Sequence, residues 1–326
     1  MLIKFFIAAA VLAAAVLLLS LLCFLLVFFV PRVRKPNPDI LPVPNGKVYR
    51  PYHEMMKNWI KDARSRPHKD FYITSFDGIT LHGTYYEYRK GAATEIMFHG
   101  YRGSAERDLS GGLQRCFALG RNALIVDQRT TCGSGGHIIT FGIKEHRDCI
   151  SWAEFAAQQF GADTPILLTG ISMGASTVLM AAGKNLPPNV KGILADCPFT
   201  SAEEIIKKCC RDLHLPANLL YPFIKLGAKL FGGFDPDEYS ALKAVENCTL
   251  PVFFVHSEGD DFVPCYMSRK LYENCNAPKR LVTMAGEGHG LAYLLDNKKY
   301  FREVCDFYTQ NGVPTTLLTN PTAKEN

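Results

Sequence analysis

The sequence predicts an α/β fold in which a mostly parallel sheet is flanked by helices. The dipeptide Asp77-Gly78 separates two segments of strand composition, 71–74 and 79–86, and so predicts a hairpin. Six short apolar runs then recur, as is typical of strands buried on both faces of a sheet. Helix-compatible segments lie between these runs, and strands that alternate with helices form parallel sheets.

The apolar runs and the helical segments follow one another along most of the chain. The predicted strands are 95–98, 123–126, 165–168, 192–195, 252–255 and 281–284. The predicted helices are 113–119, 146–160, 173–182, 266–274 and 291–308. A longer interruption, 200–247, is predicted to be a small helical insert, which either forms a lid over a pocket or packs as two helices.

Length, charge and cysteine content limit the classes of function that the chain could have. A chain of 326 residues with 48% hydrophobic content can bury the core of one large domain or two smaller ones. The net charge of +5 is small, and no basic stripe is interleaved with aromatics, so nucleic acid is not expected as a partner. The eleven cysteines form no CxxC pair or Cys/His cluster, which favours free thiols. No nucleotide-binding loop or metal-ligand spacing is present, so we expect no cofactor.

The N-terminal segment 5–30 contains no charged residue and predicts a transmembrane helix. Such a helix is about 39 Å long, against a hydrocarbon core of about 30 Å. A cleavable signal peptide is the alternative, but its apolar region is normally about 7–15 residues long, so an uncleaved anchor is preferred. Arg32, Arg34 and Lys35 follow the segment, whereas Lys4 and the amino terminus precede it, which favours a cytoplasmic globular domain.

These features divide the chain into four parts. Prolines recur after the anchor and predict an extended tether rather than a helix. The predicted parts are a transmembrane anchor (1–30), a tether (31–50), a globular domain (51–312) that contains the helical insert (about 200–247), and a C-terminal tail (313–326).

The segment 170–174, Gly-Ile-Ser-Met-Gly, contains the candidate nucleophile Ser172. It follows the predicted strand that ends near Thr169 and precedes the predicted helix 173–182. A serine hydroxyl is a poor nucleophile, so it requires a base to accept its proton and donors to hold an oxyanion. A GxSxG segment between a strand and a helix forms a sharp nucleophile elbow.

With this elbow, the chain resembles the α/β-hydrolase superfamily over about residues 71–308, in particular its serine aminopeptidase-like, lysophospholipase-like and membrane-anchored branch. The resemblance implies a catalytic acid after the next-to-last strand and a histidine after the last. Asp260 and His289 occupy these places. Asp261 is an alternative acid, and Asp196 is a weaker one.

The resemblance also implies an oxyanion hole built from two backbone N–H groups, those of Met173 and of Tyr101 in the His-Gly turn 98–104. In the implied mechanism the histidine deprotonates the serine, the aspartate orients the histidine, and an acyl-enzyme forms. The chain departs from the family pattern after Asp127, where Thr130 and Cys132 stand at positions that are usually glycine.

The sequence therefore predicts a serine hydrolase that cleaves carboxylic ester or acyl bonds. The anchor and the apolar insert favour a lipid-like acyl substrate, and peptide hydrolysis of the aminopeptidase type is the second hypothesis. Hypotheses of another class are a catalytically silent binding module at the membrane, or a membrane tether. The oligomeric state is not predicted.

Overall fold

A computed structural model describes residues 1–31 and 37–315 of the chain. Within these ranges eight strands form one sheet. The strands are β1 (Lys69–Thr74), β2 (Thr80–Tyr86), β3 (Thr94–Phe98), β4 (Asn122–Asp127), β5 (Ile166–Ile171), β6 (Val190–Asp196), β7 (Val252–Gly259) and β8 (Lys279–Glu287).

The sheet confirms the predicted fold class. Its strand order is β1-β2-β4-β3-β5-β6-β7-β8. β1 and β2 form the predicted antiparallel hairpin, and β2 is also antiparallel to β4. The strands from β4 to β8 in this order are parallel, so their carboxyl ends lie at one edge of the sheet. Loops that leave this edge are placed to form a site.

Helices connect the strands and cover both faces of the sheet. They are α1 (Leu2–Val27), α2 (His53–Ser65), α3 (Ala105–Ala118), α4 (Glu145–Phe160), α5 (Met173–Ala182), α6 (Ala202–Asp212), α7 (Ala217–Gly227), α8 (Ala241–Val245), α9 (Tyr266–Asn274), α10 (Ala292–Leu295) and α11 (Asn297–Gln310). A 3₁₀ turn (Lys47–Tyr52) precedes α2, and a π-helical turn (Ala228–Gly232) follows α7.

The helices depart from the prediction most clearly at α2, at α3 and in the last helical segment. α2 was not predicted, and α3 begins eight residues before the predicted helix at Leu113. The side chain of Ser104 caps α3 by accepting a hydrogen bond from the backbone N–H of Arg107, so the polar first turn is helical. The single predicted helix 291–308 is divided at Asp296, whose side chain caps α11.

Alternate residues of β5 face two separate hydrophobic clusters. Leu168 of β5 faces the cluster that includes α4 and α5, whereas Leu167 faces the cluster that includes α11. Because side chains alternate across a strand, the two clusters lie on opposite faces of the sheet.

Glu95 of β3 joins the sheet to the helices beside it through a buried ionic network. Its carboxylate pairs with Arg115 of α3, and it lies 3.0 Å from Nη1 of Arg121 and 2.7 Å from Oγ1 of Thr169. Burial raises the pKa of this carboxyl, but the two arginines outweigh burial and hold the pKa below its usual value. Glu95 is therefore ionised and fully paired.

α1 is long and apolar enough to cross a membrane. Its last turns pack on the globular domain, where Ser20, Cys23 and Phe24 are buried against the insert. The predicted tether also contacts the domain within the part described, because Arg64 of α2 donates hydrogen bonds to the backbone carbonyls of Pro38 and Ile40. Residues 32–36 and 316–326, which include most of the predicted tail, lie outside the described residues.

The loop after β4 adopts left-handed backbone conformations at the two positions where the sequence departs from glycine. Thr130 has φ 73° and Cys132 has φ 46°. A left-handed conformation costs a residue with a Cβ atom roughly 1–2 kcal/mol. The usual glycines would therefore relieve strain in this loop.

We expect Thr130→Gly to raise the free energy of unfolding by up to about 1 kcal/mol, because glycine adopts this backbone conformation without strain. The matched control is Thr131→Gly, since Thr131 is also buried but does not have a positive φ. The control should lower stability. Urea unfolding of the detergent-solubilised variants measures both effects, and an equal loss in the two variants would contradict the strain at Thr130.

Candidate active site

Ser172 lies on a sharp turn between β5 and α5. Its backbone has φ 57° and ψ −119°, which is strained for a residue with a side chain. A Cβ at Gly174 would lie 2.0 Å from the Phe98 carbonyl oxygen, and a Cβ at Gly170 would lie 2.1 Å from the carbonyl carbon of Gly174. Only glycine fits at either position. The two glycines therefore allow the turn that presents Ser172 at the carboxyl edge of the sheet.

The turn after β3 faces this serine. A Cβ at Gly100 would lie 3.4 Å from Cβ of Ser172 and 3.8 Å from its Oγ. The backbone N–H of Gly100 donates to Asp108, 3.1 Å away. Within the described residues, the N–H groups of Tyr101 and Met173 donate no hydrogen bond. Both predicted oxyanion donors are thus unpaired.

His99 holds this turn against the loop after β4. Its Nε2 accepts a hydrogen bond of 3.1 Å from the backbone N–H of Gln128, whose side chain donates to the His99 carbonyl oxygen at 2.5 Å. Burial lowers the pKa of His99 below its usual value, so the ring stays neutral and can accept that bond.

Asp260 and His289 meet at the ends of β7 and β8. Nδ1 of His289 lies 2.7 Å from Oδ2 of Asp260, whose side chain is fully buried. The other carboxylate oxygen accepts hydrogen bonds from the backbone N–H groups of Phe262 and Val263, at 3.0 and 2.9 Å. Burial raises the pKa of Asp260, but hydrogen bonds from His256 and His289 outweigh burial and hold the pKa well below its usual value. Asp260 is therefore ionised.

The two alternative acids occupy other positions. Asp261 is exposed, and its backbone carbonyl is contacted by Lys208. Asp196 is buried at the end of β6, and its Oδ1 has no hydrogen-bond partner among the described residues. Of the three aspartates, only Asp260 is hydrogen-bonded to His289 in the part of the chain that is described.

Three residues around His289 had no signal in the sequence. His256 is fully buried and its Nε2 lies 3.3 Å from Oδ2 of Asp260, the same oxygen that is bonded to His289. Tyr49, in the segment predicted as tether, donates a hydrogen bond of 2.9 Å to the His289 carbonyl oxygen. Cys197 lies with Sγ 4.0 Å from Nε2 of His289. The contacts of Tyr49 and Cys197 join distant parts of the chain, and that of His256 depends on how the short loop after β7 folds back, so no motif marks them.

Ser172 and His289 make no hydrogen bond within the described residues. Such bonds often form only when substrate is bound.

Cys197, Asp260 and His289 are residue types that can bind a metal ion, and their ligand atoms lie within 4.8 Å of one another. The carboxylate and the imidazole of this set are already bonded to each other.

Aromatic side chains form an apolar wall beside the turn after β3, which contains the predicted donor Tyr101 and is called the oxyanion turn below. The rings of Tyr101 and Phe141 stack with their centroids 4.9 Å apart. Phe28, just after α1, packs on the other side of Phe141 at 5.8 Å, and Phe199 lies 6.1 Å from Phe141. The wall therefore combines residues from the N-terminal segment and from loops at the carboxyl edge of the sheet.

Comparisons with known proteins agree with this fold. Residues 140–312 match the profile of the prolyl oligopeptidase family. The uncharacterized protein YqkD of Bacillus subtilis is 29% identical over 73% of this chain and 78% of its own length. The Pyrococcus furiosus esterase Pf2001 superposes with a TM-score of 0.62 and 22% identity, over 85% of this chain and 98% of that protein. The Pyrococcus horikoshii acylaminoacyl peptidase superposes with a TM-score of 0.53 and 16% identity, over 77% of this chain and 43% of the peptidase.

The buried Asp196 yields a prediction about pH. Burial raises the pKa of its carboxyl from 3.8 to about 6, so the folded state binds the proton more tightly than the unfolded state. The carboxylate therefore destabilises the fold as pH rises from about 4 through about 6. We expect Asp196→Asn to be more stable than wild type by roughly 1–3 kcal/mol at pH 8, with no such gain near pH 4.

Urea unfolding at the two pH values measures this effect. Asp260→Asn is the control of opposite sign, since the pKa of Asp260 is lowered and its ionised form is stabilised by hydrogen bonds. That variant should lose stability at pH 8. Destabilisation of Asp196→Asn that is larger at pH 8 than near pH 4 would instead show that the Asp196 carboxylate has a stabilising partner.

Proposed function

Because the chain belongs to the prolyl oligopeptidase family and is a serine hydrolase, we propose that it cleaves carboxylic ester or acyl bonds through an acyl-enzyme on Ser172. One observation carries the proposal. Ser172 is held at a strained elbow against two unpaired backbone N–H groups, those of Tyr101 and Met173. The ionised Asp260 and its partner His289 lie at the same edge of the sheet.

The groups of the site divide the proposed reaction among them. His289 accepts the Ser172 proton at Nε2 while Oγ attacks the carbonyl carbon, and the Tyr101 and Met173 N–H groups bind the oxyanion. His289 then protonates the leaving group, and the bond to it breaks. Water, deprotonated by Nε2 of His289, then attacks the acyl carbon, and the bond to Oγ breaks as His289 returns the proton to Ser172 and the acid leaves. Asp260 keeps Nδ1 protonated and stabilises the imidazolium.

The surroundings of Ser172 support an acyl ester over a peptide. The aromatic wall of Tyr101 and Phe141 suits an apolar acyl chain. A free peptide amino terminus would require an unpaired carboxylate, but Asp108 beside the oxyanion turn is already paired with Arg107 at 2.6 Å. Peptide hydrolysis remains the second candidate, because the family is named for a peptidase and one structural neighbour is an acylaminoacyl peptidase.

We propose that α1 holds the protein in the membrane as an uncleaved anchor and that the hydrolase domain lies in the cytoplasm. The apolar helix supports the anchor, and the basic residues that follow it support the orientation. Protease protection of the domain in sealed cells and in inverted vesicles tests the orientation. Mass measurement of the mature chain tests whether α1 is retained.

We expect a fluorophosphonate probe to label the wild-type protein and not Ser172→Ala, because the probe requires an activated serine. Asp260→Asn should lower kcat about 10³–10⁴-fold, since the histidine loses its orienting carboxylate. The matched control is the neighbouring Asp261→Asn, which should stay near wild type. Labelling and ester hydrolysis are measured on full-length protein in detergent.

A folded wild-type protein that resists the probe would contradict the proposed enzyme. Loss of activity in Asp261→Asn with retention in Asp260→Asn would transfer the acid role to Asp261. Circular dichroism of each variant separates loss of chemistry from loss of fold.

A substrate panel tests the proposed bond type. We expect p-nitrophenyl esters and acyl thioesters to be hydrolysed with a kcat/KM at least about tenfold above that of aminoacyl amides, since the apolar wall suits an acyl chain and the carboxylate of Asp108 is already paired with Arg107. Cleavage of the amides alone would establish the peptidase candidate instead.

A further inference from the structure

We propose that α7 and the π-helical turn that follows it are seated in the outer part of the lipid bilayer, so that the hydrolase domain rests on the membrane and takes its substrate from it. The inference rests on the proposed function in one respect, namely that α1 is retained as a membrane-spanning helix. The bilayer into which α1 inserts would cover the exposed apolar side chains of α7 and of the π-helical turn.

The first support is the close packing of α1 on α7. A Cβ at Gly227 would lie 2.3 Å from the backbone carbonyl oxygen of Ser20, so the two helix backbones touch. Phe24 packs on Phe231 of the π-helical turn, with ring centroids 5.9 Å apart. Contacts through small residues are typical of helices that pair within a membrane.

The second support is the rigid connection at the end of α1. Phe28 is fully buried and packs edge-on against Phe234 at 5.2 Å. The hydroxyl of Tyr101 donates a hydrogen bond of 2.6 Å to the Val27 carbonyl oxygen, and Arg102 donates to that of Leu26 at 2.9 Å. The domain is therefore fixed to the helix itself, and the depth of α1 determines the depth of the domain.

The third support is the length of helix that the bilayer requires. Lys4 is charged and lies at an interface, so the span begins near Phe5. The stretch from Phe5 to Ala15, in which every residue is exposed, covers only about 16 Å, well short of the hydrocarbon core of about 30 Å. A complete span reaches about Phe24, which includes the turns that contact Gly227 and Phe231.

The side chains of this region agree with a lipid environment. Leu219, Leu230 and Phe231 are 65%, 54% and 40% exposed, respectively, which is unfavourable in water. The neighbouring Lys225 and Lys229 are paired with acidic residues at 2.6 and 2.7 Å. Apolar side chains with locally paired charges are suited to the boundary between headgroups and acyl chains.

This placement connects the bilayer to Ser172. Phe28 continues from the membrane helix into the aromatic wall, where it contacts Phe141. Tyr101 bonds to the end of α1 through its hydroxyl and supplies a proposed oxyanion donor through its backbone. These contacts hold the edge of the domain that carries Ser172 beside the bilayer, from which the proposed lipid-like substrate is taken.

Tryptophan quenching by brominated lipid tests the depth. Full-length Leu230→Trp is reconstituted in phosphatidylcholine vesicles with acyl chains brominated near the headgroup end. After subtraction of wild-type emission, we expect the added tryptophan to be quenched by at least about half relative to unbrominated vesicles. The control is Asp306→Trp, since Asp306 is exposed on α11, which packs on the opposite face of the sheet from α1. Its tryptophan should not be quenched. Equal emission of Leu230→Trp in both vesicles would overturn the proposal.

A rate measurement tests the consequence. In Leu230→Asp we expect hydrolysis of a vesicle-embedded long-chain ester to fall about tenfold, with hydrolysis of soluble p-nitrophenyl acetate unchanged. An equal change in both rates would contradict delivery from the bilayer. If wild type hydrolyses neither ester but Leu230→Trp is quenched, the proposed function fails and the membrane seat stands.

Discussion

The contact between the backbones of Phe98 and Gly174 is the constraint on which the site depends. β3 and β5 are adjacent parallel strands, and α5 starts so close to the end of β3 that no Cβ fits at Gly174. The positive φ of Ser172 follows, because the chain must reverse within one residue to enter α5. The strain at Ser172 is balanced by the packing of β5 and α5 within the core.

The same geometry explains why the remaining groups gather at one edge of the sheet. Parallel strands end together, so the loops after β3, β7 and β8 converge on the loop after β5. Asp260 receives two backbone N–H groups and two histidines, which keep a buried carboxylate charged. A charged, fixed acid is the arrangement that orients a neighbouring imidazole.

The N-terminal helix has a larger structural role than an anchor requires. Its last turns contribute Phe24 and Phe28 to the main hydrophobic cluster, and its terminal carbonyls accept hydrogen bonds from the oxyanion turn. The segment after it braces the His289 loop through Tyr49. The part of the chain that precedes the hydrolase domain therefore packs against the candidate site, and the proposed anchor and the proposed oxyanion donor Tyr101 are in direct contact.

The sequence by itself determined the strand order along the chain, the elbow around Ser172 and the positions of Asp260 and His289, because these features depend on local patterns of apolar residues and glycines. Only the tertiary structure decided that His256 supports Asp260, that Cys197 and Tyr49 lie beside His289, and that α1 packs on the insert. Each of these contacts joins elements distant in the chain or a side chain to a neighbouring turn. Such contacts depend on how the elements pack, which has no periodic signature in the sequence.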